Sequence, residues 1–365
     1  MRVLMVTPCF LPEMGGVQRH VQEVASRLTT SGCEVTVLTT DRSRRLPARD
    51  LQDGIEIRRV RAWPKHSDLR LAPALGRSIA AGSWDVVHVQ SYHTFVAPQA
   101  MWTATHLGLP FVVTFHGGGH SSRLRHFLRP AHRAALRPLL ARAQRLVAVA
   151  EFEVELYGRE LRLPRDRFVV IPNGADLPKP VTSPVAADGI LIASVGRLER
   201  YKGHHRAIAA LPHLLEHEPR ARLWIAGSGP YRRRLRRLAE RCGVADRVDI
   251  RAVADRDAMV AALAQTSLVV LLSEFETQPI GALEARALDR PLLVSDTSGL
   301  HALATRGEAR AVPLDASPHE VAAAMLRQLR DPIAAPPARA FTWDDCASEL
   351  EALYRTVIEE AACAS

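Results

Sequence analysis

Residues 1–40 read MRVLMVTPCF LPEMGGVQRH VQEVASRLTT SGCEVTVLTT and carry the clearest structural signal of the chain. An apolar run at residues 3–6 leads into a loop rich in proline and glycine, and apolar residues then recur at helical spacing from Val17 to Leu28. A glycine ends the helical pattern, and a second apolar run follows at residues 35–38. Strand, helix and strand in this order predict a βαβ unit with a parallel sheet.

The same alternation continues through both halves of the chain. Further strand candidates of the first half lie at residues 85–89, 110–115, 145–149 and 167–171. The alternation restarts after a proline-rich connector, with strand candidates at residues 190–195, 222–226, 248–250, 268–272 and 291–294. We therefore predict two doubly wound α/β domains, at residues 1–180 and 188–340. A last helix within residues 341–365 could pack against the second domain or cross back to the first.

The composition is that of a globular protein. The 365 residues are 47% hydrophobic and 24% charged, which suffices for two cores of ordinary size. The five cysteines include no Cys-x-x-Cys pair, so we expect neither a disulfide framework nor a zinc site. The first apolar run is too short for a signal peptide, and no stretch of about 18 apolar residues occurs. These features predict a cytoplasmic protein that does not span a membrane.

The positive charge of the chain lies in its first half. Residues 1–180 carry 25 basic against 15 acidic side chains, whereas residues 181–365 carry 23 against 24. This favours an anionic partner, such as nucleic acid, phospholipid headgroups or a phosphorylated substrate. Aromatic residues make up only 5% of the chain and no recognised nucleic-acid-binding module occurs, so we expect no nucleic-acid partner.

The segment 121–145 is the most basic part of this half. It contains seven arginines with apolar residues between them and no acidic residue. Such a segment can lie on an anionic membrane surface as an amphipathic helix. A basic helix that faces solvent, or one that binds the acceptor substrate, is equally consistent with the sequence.

Two loops of the first half follow predicted strands and could bind a ligand. Gly15 and Gly16 stand where a strand passes into a helix, so the N–H groups of the helix start are open to an anion. The GxGxxG spacing of a dinucleotide site is missing, which argues against a nicotinamide or flavin cofactor. His116 follows a strand and precedes three glycines, and its imidazole could donate to a sugar hydroxyl or a leaving oxygen. An ordinary turn and a hydrogen-bonded loop histidine are the structural alternatives.

The second half also places charged side chains after predicted strands. The segment SVGRLERYKG puts Arg197 and Lys202 where a forked donor and a point charge can converge on a diphosphate. The segment SEFETQPIGALEA carries Glu276 in a loop and Glu284 one turn into a helix. A carboxylate accepts hydrogen bonds from two vicinal hydroxyls, so one glutamate suits a sugar and the other a ribose. Solvated surface charges are the structural alternative.

Asp255, Arg256 and Asp257 have the spacing of a metal-binding DxD motif but directly precede a helical pattern. Aspartates commonly cap helices at that position. We therefore expect a helix cap here and no metal site.

Taken in order, these motifs resemble glycosyltransferase family 4 over most of the chain. The matching segments are the pair Gly15-Gly16, His116 with its following glycines, IPNGAD, GRLERYKG, and the pair Glu276 and Glu284. No single motif is specific, but the ordered set is. The resemblance implies the GT-B fold, in which two Rossmann-like domains face each other across a cleft.

The resemblance also implies a role for each matching residue. Arg197 and Lys202, together with Gly15 and Gly16, would bind the donor diphosphate, and Glu284 would bind the ribose. The residues implied to contact the transferred sugar are His116, Glu276, Thr277, Gln278 and Ile280. Of these, the first two are the implied catalytic residues.

The reaction implied by the resemblance is transfer of a sugar from a UDP- or GDP-sugar with retention of configuration. It requires no metal and no cofactor besides the nucleotide sugar. The implied acceptor is a glycan, a lipid-linked saccharide or a small molecule, and the implied pathway is cell-surface polysaccharide or glycolipid synthesis at the inner face of the membrane. Natural-product assembly with a soluble acceptor and a GT-B sugar-nucleotide epimerase are the alternatives. Thr277, Gln278 and Pro279 replace the Gly-Phe-Gly common in the family, so the donor sugar does not follow from the resemblance.

Overall fold

The chain forms two compact units in a computed structural model. The residues that the structure describes are 1–13, 15–64, 70–117, 123–178, 189–253, 255–333 and 341–364. The first unit comprises Met1–Gly117, Leu124–Gly174 and Phe341–Ser365, and the second contains Ala175–Ala340.

The first unit is built on one parallel sheet. Its strands are β1 (Arg2–Val6), β2 (Glu34–Asp41), β3 (Arg49–Gln52), β4 (Ile55–Arg61), β5 (Val86–Gln90), β6 (Phe111–Thr114), β7 (Arg145–Ala148) and β8 (Phe168–Val170). They lie in the order β3-β4-β2-β1-β5-β6-β7-β8, and only β3 runs antiparallel to its neighbour. Helices between the strands are α1 (Gly16–Thr30), α2 (Leu75–Ala80), α3 (Val96–His106), α4 (Arg123–Leu140) and α5 (Glu151–Leu161). The last four residues of β1 are fully buried, because a parallel sheet is covered on both faces.

The second unit repeats this architecture. Its strands are β9 (Leu191–Val195), β10 (Arg222–Ala226), β11 (Val248–Arg251), β12 (Leu268–Leu271), β13 (Leu292–Ser295) and β14 (Arg310–Val312). The order is β11-β10-β9-β12-β13-β14, with every neighbouring pair parallel. Its helices are α6 (His204–Leu215), α7 (Arg232–Arg241), α8 (Arg256–Ala264), α9 (Ile280–Ala287), α10 (Ser298–Thr305) and α11 (Pro318–Arg330).

Each sheet has a point at which the strand order reverses direction. In the first sheet β1 lies between β2 and β5, and in the second β9 lies between β10 and β12. Helices that leave the two strands on either side of such a point go to opposite faces, which opens a crevice at their carboxyl ends where ligands bind in doubly wound folds. The loops after β9 and β12 are therefore the first place to look for a site in the second unit.

The last helix, α12 (Trp343–Ala364), belongs to the first unit. It packs on α1, where Arg27 donates to Asp344 at 2.5 Å. Trp343, Leu350 and Tyr354 are buried in the same core as β1 and α1. The sequence left open which unit receives this helix, and the structure places it with the first.

The prediction of two doubly wound α/β domains is confirmed, but three strands were missed. The hairpin of β3 and β4 and the edge strand β14 were not predicted. Strand β3 reads RDLQ and β14 reads RAV, so both lack a run of apolar residues. Strand β4 reads IEIRRVR, in which the apolar face is interrupted by charged residues. Strands β3 and β14 are also short and lie at sheet edges, where they bury little surface, which explains their weak signal.

Two arginines of the segment 121–145 pair with acidic side chains of other elements. Arg133 is 8% exposed and forms an ion pair with Glu160. Arg145 pairs with Glu360 of α12 at 2.6 Å. The acidic partners come from other elements, so a search for acids within the segment could not find them. Residues 121–122 and the side chains of 123–129 lie outside the description. None of the helices in the described part of the chain is long and apolar enough to cross a membrane.

Candidate active site

The loop after β9 folds tightly against the loop after β12. Gly203 adopts φ of +72°, and an added Cβ would lie 1.9 Å from the carbonyl oxygen of Leu272, so only glycine fits at this approach. The N–H of Glu274 donates to the carbonyl of Tyr201 at 2.7 Å. The two loops on either side of the strand-order reversal are thus held together by backbone contacts.

This approach brings together two predicted site residues that are 74 positions apart in the chain. The Nζ atom of Lys202 lies 2.7 Å and 2.8 Å from the two carboxylate oxygens of Glu276. The two side chains are only 16% and 11% exposed, and Ser273 donates to the same carboxylate at 2.7 Å. A diphosphate that binds Lys202 therefore has to compete with the Glu276 carboxylate.

Arg197 and Glu284 lie near this pair in the chain but contact other groups. Arg197 pairs with Glu199 at 2.9 Å and donates to the Tyr201 hydroxyl at 2.6 Å, with 66% of its side chain exposed. Glu284 is 14% exposed and lies 3.7 Å from Arg256. The convergence of Arg197 and Lys202 on one anion thus remains a prediction.

His204 is a residue of this region that sequence reasoning missed. It begins α6 and is buried, with Nδ1 2.8 Å from Ser194 and Nε2 3.2 Å from the carbonyl oxygen of Arg197. Burial lowers the pKa of His204 to about 4, so the ring stays neutral. It fixes the backbone from which Arg197 projects. The sequence holds fifteen histidines, and nothing in the pattern distinguishes this one.

The loop between Glu276 and α9 is short and half-buried. Thr277 and Gln278 occupy it, and Pro279 precedes Ile280, the first residue of α9. Pro279 has no N–H to offer a ligand. The contacts of Thr277, Gln278 and Ile280 with a sugar remain predictions.

In the first unit, Gly15 and Gly16 lie at the start of α1, after β1. Gly15 is the N-cap residue, and no atom lies within 4 Å of a Cβ added to Gly16. The space beside Gly16 and the free N–H groups of the helix start allow an anion to approach. Their role in binding a diphosphate stays a prediction.

His116 follows β6 in a backbone conformation that side chains seldom adopt, with φ of +45°. Its Nε2 lies 2.6 Å from Oε1 of Gln90, and the next N–H, of Gly117, donates to the buried Glu153 at 3.1 Å. Burial holds the pKa of His116 well below its usual value, so the ring is neutral. The contact of His116 with a sugar hydroxyl or a leaving oxygen stays a prediction. Gln90 and Glu153 carry no sequence signal of these contacts.

His20 and His88 are buried beside His116. The rings of His20 and His116 are 4.6 Å apart, and His88 lies between the hydroxyls of Tyr354 at 2.5 Å and Thr114 at 2.7 Å. Burial lowers the pKa of His20 to about 4 and that of His88 well below its usual value. These two histidines are part of the core of the first unit.

The buried histidines predict that the first unit loses stability in mild acid. The pKa of His20 is about 6.5 in the unfolded chain and about 4 in the fold. The contribution of its neutral ring to the free energy of unfolding is therefore complete above pH 6.5 and is lost as the pH falls toward 4. The loss for His20 amounts to about 3 kcal/mol. Burial raises the pKa of Glu153 to about 7. This shift stabilises the fold as the pH falls, so it offsets the stability lost through one histidine. Because the pKa values of His88 and His116 are also lowered, the net effect of acid is to reduce the stability of the first unit.

We therefore expect a melting temperature several degrees lower at pH 5 than at pH 7.5, and a smaller difference in His20→Gln. The matched control is His106→Gln, since His106 is exposed on the same unit. Equal melting temperatures of the unchanged protein at both pH values would contradict this account.

Asp255 caps α8, where its side chain accepts from the N–H of Ala258 at 2.8 Å. The predicted cap is confirmed. Among the described residues, no group of three or more His, Cys, Asp or Glu side chains is placed to hold a metal ion.

Two family models together match most of the chain. Residues 14–179 match the family described as Glycosyltransferase Family 4, and residues 180–341 match Glycosyl transferases group 1.

The chain is also similar to named proteins over most of its length. It is 28% identical to the glycogen synthase of Mycobacterium tuberculosis, over 97% of this chain and 94% of that protein. It is 30% identical to a GDP-mannose:cellobiosyl-diphosphopolyprenol alpha-mannosyltransferase of Xanthomonas oryzae, over 81% of this chain and 79% of that protein.

Solved structures share the fold at lower identity. Sucrose-phosphate synthase from Thermosynechococcus elongatus superimposes with a TM-score of 0.79 at 20% identity and covers 98% of this chain and 99% of its own. Anabaena HepE in complex with UDP and glucose superimposes with a TM-score of 0.71 at 17% identity and covers 99% of this chain and 98% of its own. The fold of the chain is accordingly GT-B.

Proposed function

This chain belongs to glycosyltransferase family 4, and from that premise we propose that it transfers a sugar from a UDP- or GDP-sugar to an acceptor with retention of configuration. The observation that carries the proposal is the contact of Lys202 with Glu276. It joins a cation and a carboxylate from the two loops that flank the strand-order reversal of the second sheet. A cation suits a diphosphate and a carboxylate suits sugar hydroxyls, so this pair supplies both kinds of contact that a nucleotide sugar needs.

The proposed roles follow the chemistry of each group. Lys202 and Arg197 bind the diphosphate, and Glu284 accepts hydrogen bonds from the ribose hydroxyls. Glu276 accepts hydrogen bonds from the hydroxyls of the transferred sugar once Lys202 has moved to the diphosphate. In the first unit, His116 contacts the transferred sugar near its reacting face, as the family resemblance implies.

The proposed reaction balances without a base from the protein. The bond between the anomeric carbon and the diphosphate oxygen breaks while the acceptor oxygen bonds to the same face of that carbon. The acceptor proton passes to the departing phosphate. Arg197 and Lys202 stabilise the charge on the leaving nucleoside diphosphate, and the Glu276 carboxylate stabilises positive charge that develops on the sugar ring. Because side-chain cations meet the charge of the leaving group, we infer a reaction that requires neither a metal nor a further cofactor.

We propose an anionic or lipid-linked acceptor, used in cell-surface polysaccharide or glycolipid synthesis at the cytoplasmic face of a membrane. Two observations support this choice: the basic excess lies within residues 1–180, and the Xanthomonas relative is named for a diphosphopolyprenol-linked acceptor. A soluble acceptor is the competing outcome. Sedimentation with vesicles of anionic lipid at physiological salt separates the two, because only the first requires co-sedimentation.

The donor site is tested by titration calorimetry with UDP, GDP and their 2′-deoxy analogues. We expect the unchanged protein to bind one of the two nucleotides about tenfold or more tightly than its 2′-deoxy form, since a charged hydrogen bond from the ribose to Glu284 is lost. Glu284→Ala should bind both forms with equal, weaker affinity.

Glu274→Ala serves as the matched control, because Glu274 is a more exposed carboxylate in the same region of the second unit. It should keep the preference for the ribonucleotide. Binding of neither UDP nor GDP would refute the proposed donor site, and an unchanged preference in Glu284→Ala would refute the role of Glu284.

A further inference from the structure

Ser298 has a backbone conformation that its residue type does not favour. It is the first residue of α10 and adopts φ of +45°, in the left-handed region. A side chain at such a position costs free energy that glycine does not incur, and strained residues of this kind cluster at functional sites. Glycine would avoid this cost, so the serine hydroxyl is expected to make a contact that glycine could not make.

The hydroxyl of Ser298 contacts the backbone of Glu276. The N–H of Glu276 donates to Oγ of Ser298 at 2.9 Å. The neighbouring residue completes the arrangement, because the N–H of Gly299 donates to the carbonyl oxygen of Glu276 at 2.8 Å. Both backbone polar groups of Glu276 are therefore bonded to residues 298–299.

The approach of these two segments leaves no spare room. A Cβ added to Gly299 would lie 2.3 Å from the carbonyl oxygen of Thr277 and 2.9 Å from that of Glu276. Thr297 also donates to the carbonyl of Glu274 at 3.3 Å. Residues 297–299 thus contact the backbone of residues 274–277, in the loop that carries Glu276.

We propose that Ser298 is a positioning residue that fixes the Glu276 carboxylate by holding the backbone beneath it. The inference rests on the proposed role of Glu276 toward the transferred sugar. On its side-chain end Glu276 is held by Lys202 and Ser273. In the proposed function a bound diphosphate draws Lys202 away. The backbone bonds from residues 298–299, together with the hydrogen bond from Ser273, then keep the carboxylate in place during transfer.

The test compares Ser298→Gly and Ser298→Ala with Asp289→Gly. Both glycine variants remove a side chain from a left-handed residue of the second unit, since Asp289 has φ of +54° and is exposed after α9. Of the two glycine variants, only Ser298→Gly also removes the hydrogen bond to the N–H of Glu276. Ser298→Ala removes the bond and keeps the strain, so it should melt at a lower temperature than Ser298→Gly.

The first measurement is amide hydrogen exchange, followed by mass spectrometry, in the peptide covering residues 274–278. We expect both Ser298 variants to speed exchange there by about tenfold, since a protecting bond is lost, and Asp289→Gly to leave it unchanged. The second is steady-state transfer, in which kcat should fall by about tenfold or more in both Ser298 variants while donor KM changes little, because the misplaced group acts on the reacting sugar.

Unchanged exchange in Ser298→Gly, or kcat equal to that of Asp289→Gly, would overturn the inference. Failure of the proposed function looks different, because then the unchanged protein transfers no sugar while the exchange measurement still reports on the contact between Ser298 and Glu276.

Discussion

Lys202→Ala is expected to lower kcat/KM for the nucleotide sugar by about two to three orders of magnitude. The substitution removes a charge-assisted contact to the diphosphate, and loss of one partner of a buried charged pair costs about 2–5 kcal/mol. It also leaves the carboxylate of Glu276, 11% exposed, without its cation and close to an anionic ligand. Initial rates over a range of donor concentrations, with titration of the free nucleoside diphosphate, measure the effect.

Two further variants show whether this loss is specific. Arg200→Ala is the matched control, because Arg200 lies in the same turn, is 60% exposed and pairs with Glu274. It should retain kcat/KM within about threefold, as expected for a surface ion pair. Glu276→Gln should bind the nucleoside diphosphate several-fold more tightly, because Lys202 no longer has to leave a carboxylate, yet should lose transfer. If Lys202→Ala and Arg200→Ala behave alike, the assignment of Lys202 fails.

Removal of residues 341–365 is expected to unfold the first unit. Helix α12 buries Trp343, Leu350, Leu353, Tyr354 and Val357. At about 1.5–3 kcal/mol for each large buried side chain, the loss is as large as the whole stability of a typical domain, about 5–15 kcal/mol. Far-ultraviolet circular dichroism and urea unfolding of the shortened protein should show one cooperative transition, that of the second unit.

The control for this deletion removes residues 362–365 alone, of which Ala362 and Cys363 are exposed. It should leave both transitions in place. Addition of a synthetic peptide of residues 341–364 to the longer deletion should restore the first transition. A shortened protein that still unfolds in two transitions would contradict the role given to α12.

The sequence predicted the fold class well because apolar runs and helical spacing reflect which residues of a strand or helix are buried. Strand β10 was predicted with its observed bounds, and β1 was placed within one residue. Elements that bury little apolar surface leave no such record, which is why β3 and β14 escaped notice. The unit to which α12 belongs depends on contacts between residues more than 300 positions apart, such as Arg27 and Asp344, and periodicity within one segment cannot report these.

The site was predicted only in part for a similar reason. Motif order identified Lys202 and Glu276, but the contact between them arises from the order of strands in the sheet. His204, Gln90, Glu153 and Ser298 act by holding backbone or ring atoms of other residues, and their types are common in loops and helix starts. Positive φ values at His116 and Ser298 are visible only in three dimensions, because neither residue is a glycine.

The return of α12 to the first unit has a consequence for synthesis on the ribosome. Residues 1–174 emerge first, but their core lacks α12 until the entire second unit has been translated. The second unit consists almost entirely of the stretch Ala175–Ala340, so it can complete its fold earlier, which reverses the usual order in which the N-terminal domain folds first. During this interval the nascent first unit exposes the apolar surface that α12 later covers, and this surface is where a chaperone of nascent chains would bind.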